Sequence, residues 1–264
     1  MIEFNARWDR YRHTVRPQSC IGENVSDHCF ADRIATFIPL TAEEHAAIAR
    51  LEDRERPVRR NGMVMRENER LTEMFVLRRG LMMSYMILDD GSRQILRFHF
   101  PGDLMGLTGL AFAKSQETIM ALTESVVCPF ERGHVSELVA KHPRIGMALM
   151  AFDQISRVGL TDRLAAVGRT SAKARVAALL LELRTRSSTG DGSFALGVTQ
   201  EEIGDATGLT AVHVNRMLRQ LEEENLIARD NGRITVVNDQ RLMRAAKYVD
   251  RQARIDLGWM PPAA

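Results

Sequence analysis

The sequence predicts an α+β chain: a region of short strands first, a long helix second, and a small helical region closed by a hairpin last. Three patterns carry this reading. From Val58 to Phe130, apolar runs of strand length are punctuated by glycine. From about Pro143 to Val167 the apolar period becomes that of a helix. From Thr199 to Val237, two short helical segments precede two β-prone runs around Asn231-Gly232. With 264 residues, 45% of them hydrophobic and 27% charged, the chain is long enough for two domains with their own cores.

Residues 1–30 read as an extension holding Cys20 and Cys29, with His13 and His28 nearby. Thr41 to Leu51 is a short helix: Thr41 caps it, Glu44 follows three residues later, and Ala47, Ile48 and Leu51 repeat at helical spacing. Met74–Leu77 and Leu81–Ile87 are strand-length runs separated by Gly80, and Asp89-Asp90-Gly91 is a hairpin signal. Leu96, Phe98 and Phe100 alternate with Arg97 and His99, which predicts one buried face and one wet face with His99 exposed. Pro101-Gly102-Asp103 closes that strand, and Thr118–Val127 supplies a later one. Many short strands bounded by turns imply a sandwich or barrel over residues 31–142.

Residues 143–168 then carry the stripe Ile145, Leu149, Phe152, Ile155, Leu160, Leu164 and Val167. A helix of this length between two domains buries such a stripe, either against its twin in a two-fold dimer or against its own strands. The dimer reading places Leu149, Phe152 and Ile155 in the interface. Thr170 or Ser171 caps a further helix through Leu183, and Ser187–Ser193 is a polar loop.

The most informative stretch is Thr199–Leu221. Thr199 and Glu202 form a capping box, Gly208 supplies a left-handed stop, and Thr210 caps a second helix from Ala211 to about Asn225. Gly204 permits close approach, while Ile203, Leu209, Val214, Met217 and Leu218 face a shared core. Ala211, Val212, His213, Asn215, Arg216 and Arg219 are left for the outer face and flanks. This is a helix-turn-helix, whose second helix enters the DNA major groove with its N-terminal turns leading. The competing reading is a plain helical hairpin with solvated arginines. Charge order favours DNA: His213, Arg216 and Arg219 come early, and Glu222, Glu223 and Glu224 come last, directed away from phosphate.

Roles follow from side-chain chemistry. Arg216 suits a guanine O6 and N7 together, Asn215 an adenine edge or a phosphate, and His213 the backbone. Thr199, Gln200 and Thr210 sit at helix N-termini, where amides and hydroxyls meet phosphate oxygens. Leu226–Arg229 and Arg233–Val237 around Asn231-Gly232 form a wing, with Arg229 and Arg233 directed at the phosphate backbone. The winged helix-turn-helix spans residues 169–250, and residues 251–264 are a tail.

Composition limits the rest. A net charge of +2 makes any affinity for nucleic acid local. No apolar run approaches a membrane span, and the N-terminus lacks the apolar centre of a secretion signal. Three cysteines at uneven spacing form no disulfide framework, so the cytoplasm is the expected compartment. The motifs His-Glu-x-x-His, Gly-x-Ser-x-Gly and the Walker loop are absent, which argues against an enzyme.

GLTAVHVNRMLRQLEEENLI at 208–227, followed by GRITVVN, resembles the DNA-binding domain of the Crp/Fnr superfamily, the cyclic-AMP receptor and fumarate-nitrate reductase regulators. LRFHFPGDLMGLTGL at 96–110 resembles the turn at the centre of that family's sensor β-roll. The resemblance covers roughly Ile34 to Tyr248. It implies a cyclic-nucleotide-binding-like β-roll, a dimerisation helix and a homodimeric regulator. Its implied partners are an inverted-repeat operator in double-stranded DNA and RNA polymerase. In many relatives the position of Val212 is a glutamate that accepts from cytosine, whereas valine packs on a thymine methyl.

The resemblance also bears on the effector. In relatives that bind cyclic nucleotides, a glutamate follows the glycine after the turn, and an arginine followed by serine or threonine grips the phosphate. Gly106 is followed here by Leu107, and Glu117 precedes Thr118, so cyclic AMP binding is not expected. The oxygen-sensing branch binds an iron–sulfur cluster through cysteines of the extension and one of the β-roll. Cys20, Cys29 and Cys128 stand in such places, although a four-iron cluster takes four thiolates and no Cys-x-x-Cys is present. A fourth ligand would be His28, His13 or Asp27. The alternative is that Cys128 is a small buried hydrophobe and no cofactor is bound.

Overall fold

The computed structural model describes residues 29–187, 193–195, 197–230, 232–249, 251 and 254–263. Its first half holds eight short strands: β1 (Arg56–Val58), β2 (Met63–Met65), β3 (Met74–Arg79), β4 (Met82–Ile87), β5 (Arg93–His99), β6 (Leu104–Met105), β7 (Thr118–Ala121) and β8 (Ser125–Phe130). They form two antiparallel four-stranded sheets, ordered β1-β8-β3-β6 and β2-β7-β4-β5. Phe75, Leu77, Met82, Met105, Ile119 and Val127 fill the space between them.

Each sheet is also covered on its outer side. Over the first lie α1 (Cys29–Ala35), α2 (Ala42–Ala49), α3 (Arg132–Lys141) and the start of α4 (Pro143–Arg169), sharing a core with Val76, Leu104, Cys128 and Phe130. The second continues into the core of the C-terminal half, where Met83, Tyr85, Phe98 and Phe100 join Leu180, Phe194, Ile203 and Leu218. Strands buried on both faces read as unbroken apolar runs, which is why Met74–Leu77 and Met82–Tyr85 do not alternate.

This double covering corrects two expectations. His99 is not exposed: it is 3% accessible, and neither ring nitrogen has a hydrogen-bond partner. His99 pairs with Met82, whose side chain lies between the two sheets, so the face predicted to be wet turns into the roll, and the Phe98 row is the one that meets the C-terminal half. Leu96 does not continue the buried row of Phe98, because the β4–β5 register shifts between Ser84 and Tyr85. It is only half-buried, and its carbonyl accepts from Arg163 of α4.

α4 runs unbroken for 27 residues, Gly159 included. Of the stripe predicted to meet a twin, the part through Phe152 is taken up inside the chain, whereas Leu160, Leu164 and Val167 stay exposed. Phe152 is buried, with its ring edge-on to Phe30 at 6.4 Å and to Phe37 at 5.7 Å, and Arg33 stacked over it. Leu149 packs on the same cluster, and Ile155 lines a small void beside Phe152 and Ile34. The apolar side chains that α4 leaves exposed are Met150, Val158, Leu160, Leu164 and Val167. The sequence did not reveal α1, which covers the Phe152 stripe from within the chain.

The C-terminal half comprises α5 (Ala172–Ser187), β9 (Ser193–Ala195), α6 (Gln200–Thr207), α7 (Ala211–Glu223), β10 (Ile227–Asp230), β11 (Arg233–Val236) and α8 (Asp239–Ala245). β9, unpredicted, pairs with β11 and makes the hairpin a three-stranded sheet. Among the described residues, no helix is long and apolar enough to cross a membrane.

Candidate nucleic-acid interface

α6 and α7 are set by local chemistry. The Thr199 hydroxyl accepts from the Glu202 amide at 3.2 Å, and the Thr199 amide donates to Glu202 Oε2 at 2.6 Å. Gly208 ends α6 in the left-handed region at φ 66°, which a side chain would penalise. At Gly204 a Cβ would stand 2.4 Å from the Leu209 carbonyl oxygen, so only glycine lets the turn close on α6. Thr210 caps α7 by accepting from the His213 amide. Ile203, Val214, Met217 and Leu218 are buried beneath.

The outward surface is the predicted one. Ala211, Arg216 and Arg219 are exposed, Val212 is 82% accessible, and His213 and Asn215 are half-buried along the flank. Thr199 and Thr210 are exposed at the two helix starts with Gln200 beside them, and Arg233 is exposed on the wing. One contact was not foreseen: Arg216 Nη2 lies 2.7 Å from His213 Nε2. The guanidinium donates there, so Nε2 is the bare nitrogen and the ring proton sits on Nδ1. Spacing of three residues on a helix was the available signal.

Two of the three acids at the end of α7 are neutralised within the protein. Glu222 pairs with Arg229 and Glu224 with Lys173. The bond from Arg229 holds the Glu222 carboxyl below its ordinary range, and Lys173 does the same for Glu224. Arg229, expected at the phosphate backbone, is therefore committed to Glu222. Arg216 and Arg219 have no carboxylate partner among the described residues.

A second polar cluster joins the two halves. Asp103 is fully buried, with Arg186 of α5 at 2.7 Å, Arg33 of α1 at 3.4 Å and Arg97 of β5 at 3.9 Å, and its Oδ2 accepts from the Phe100 amide. Burial pushes its carboxyl up, but Arg186, Arg33 and Arg97 together hold it well below the usual range. Burial and then Arg97 drive the neighbouring His99 down to about 3. Nearby, Arg93 of β5 reaches Asp205 of α6 at 2.7 Å, and Gln94 donates to the Asp205 carbonyl. Sequence reading missed this junction because its partners lie far apart in the chain.

Inside the β-roll, Leu107 packs on the sensor core. Glu117 is directed at Ser84, and burial raises its carboxyl against the opposing effects of Ser84 and Arg97. Thr118 accepts from the Glu67 amide. Cys128 is wholly buried beside Arg78, and burial followed by Glu52 pushes its thiol up to about 11. Cys20 and the side chain of Cys29 lie outside the described residues, as do His13, Asp27 and His28. Among the described residues, no group of three metal-ligating side chains comes together.

Two family profiles match the chain: a Crp-like helix-turn-helix domain over residues 174–245 and a cyclic nucleotide-binding domain over residues 55–142. The fumarate and nitrate reduction regulatory protein of Yersinia pestis is 26% identical over 225 residues, covering 83% of this chain and 90% of that protein. Regulatory protein HlyX of Actinobacillus pleuropneumoniae is 26% identical over 232 residues, covering 86% and 92%. The structure of FixK2 from Bradyrhizobium japonicum superposes with a TM-score of 0.69 at 28% identity, covering 74% of this chain and 98% of that one.

Proposed function

We propose, from the premise that the chain belongs to the Crp/Fnr superfamily of transcription regulators, that it acts as a homodimer on an inverted-repeat operator and engages RNA polymerase there. The chain is a regulator with a helix-turn-helix DNA-binding domain and not an enzyme. The observation that carries the finer reading is the outer face of α7, where Val212, Arg216 and Arg219 stand exposed while Glu222 and Glu224 are paired behind it. Arg216 reads guanine, Val212 packs on a thymine methyl, and Arg233 with the Thr199 and Thr210 helix starts holds phosphate.

The dimer forms through the uncovered face of α4. Met150 and Leu164 stand two heptads apart, Leu160 and Val167 one heptad apart, and all four are exposed. Met150→Glu with Leu164→Glu yields monomers by sedimentation that lose operator binding. A dimer that survives both changes refutes the interface. Half-site spacing is then a whole number of helical turns, readable by selection from random DNA.

The sensor does not take cyclic AMP in this reading, because Leu107 and Glu117 offer no donor to its ribose or phosphate. Calorimetry with cyclic AMP gives no micromolar binding. The residues do not fit a four-iron cluster either. Three cysteines fall one short of four thiolates, and Cys128 lies buried in a site that favours its neutral thiol. Anaerobic purification followed by iron and sulfide analysis returns neither in stoichiometric amount; a cluster lost in Cys128→Ala overturns this.

A further inference from the structure

Beyond α8 the chain turns back across the sensor. Arg251 makes a two-pronged ion pair with Asp162 of α4, Nη2 at 2.7 Å and Nε at 2.9 Å. Leu257 packs against the cluster built by α1 and α4, leaving a void of only about 10 Å³ beside Ile34, Phe152 and Ile155. Met260 is buried in the same cluster. Arg144, at the start of α4, donates to the Pro261 carbonyl at 2.7 Å, to Glu44 Oε2 at 2.6 Å and to the Pro39 carbonyl at 2.6 Å. The segment thus runs antiparallel to α4 from Asp162 back to Arg144, about 27 Å of helix.

We propose that Arg251 and residues 254–261 act as an intramolecular strap that fastens the DNA-binding domain to the sensor and clamps α1 onto α4. α1 is held from two sides: by Phe152 and by the strap's Leu257 and Met260. The strap's other end follows α8, which ends at Ala245, a few residues earlier in the chain. A displacement of α1 therefore reaches the DNA-binding domain through the strap, in parallel with the route through the β-roll and α4. The exposed ion pair contributes little by itself. Leu257 and Met260 supply the seat, because apolar burial dominates such contacts.

The test uses two variants, one ending at Val249 and one full-length with Arg251→Ala and Leu257→Asp. Hydrogen exchange without DNA is read in α1 and in β3–β4. In both variants, exchange over 30–38 accelerates tenfold or more while the strands 74–87 hold their protection. Affinity for the inverted repeat selected by the wild type, an arm that rests on the proposed DNA-binding role, falls three- to tenfold in both. Unchanged exchange in α1 overturns the strap, as does acceleration in the truncation alone. Faster exchange with unaltered affinity overturns the transmission. The exchange arm stands or falls without reference to DNA.

Discussion

Arginine serves opposite ends in two parts of this molecule. At the junction, Arg33, Arg97 and Arg186 converge on one buried carboxylate, Asp103, and bind α1, β5 and α5 together. On α7, Arg216 and Arg219 are exposed, and among the described residues the polar partner of Arg216 is His213. The first set is spent on the protein's own charge, the second is held in reserve for another molecule's. The difference is one of desolvation. A buried carboxylate surrounded by guanidinium groups cannot lose a partner cheaply, whereas an exposed arginine costs nothing until phosphate or a base arrives.

The sharpest break of that contrast is Asp103→Asn, which strands three guanidinium groups. It costs about 3–5 kcal/mol of stability, seen as a lower urea midpoint, and leaves the selected DNA sequence unchanged. A variant as stable as the wild type would show that the junction is not where the arginines are spent. Next comes Arg216→Ala, the mirror image: roughly 1–3 kcal/mol of operator affinity per half-site is lost and one base preference relaxes, with the urea midpoint unmoved. Full affinity with an unaltered preference would remove α7 as the reading helix.

A smaller effect separates the two regions by pH. His99 is buried in its neutral form, its folded value of about 3 lying below the unfolded 6.5. The unfolded chain therefore takes up a proton below pH 6.5 that the folded chain refuses. Stability is complete above that point and falls as pH drops from 6.5 towards 3. From pH 7.5 to 5 this one group removes about 2 kcal/mol, and His99→Gln flattens the unfolding profile by that amount. Equal slopes in the two proteins would place the proton elsewhere. The least costly change is His213→Ala, which weakens all DNA sequences alike by less than about 1 kcal/mol, in filter binding against operator and random duplexes.

The same contrast sets how much was legible beforehand. Thr41, Thr199, Gly204, Gly208 and Thr210 act over three to five residues, so caps, turn and recognition face follow from neighbours in the chain. The junction does not: Asp103 and Arg186 lie 83 positions apart. His99 illustrates this, because alternation correctly sets it opposite Phe98 but cannot say that its side faces the interior between two sheets. β9 escaped for a related reason, as a three-residue strand has meaning only beside β11. On α4 the sequence holds one apolar stripe from Ile145 to Val167, and periodicity cannot say which part of it is covered within the chain. Its Phe152 part goes to α1, a seven-residue helix that straddles the boundary between the predicted extension and the strand region.

The length of α4 turns it into a mechanical lever. Its 27 residues measure about 40 Å, with the α1 cluster packed at one end and the DNA-binding domain following the other, where Arg163 bonds the Leu96 carbonyl of the sensor. Tilting it about the Ile145–Ala148 end by ~5° carries the far end sideways by ~3.5 Å, close to the ~3.4 Å rise between stacked base pairs. In a symmetric pair both arms swing, so the separation of the two reading heads changes by up to twice that. Angular play at the fulcrum too slight to disturb the packing of Phe152 is thereby magnified into a mismatch of one or two base pairs at the tips.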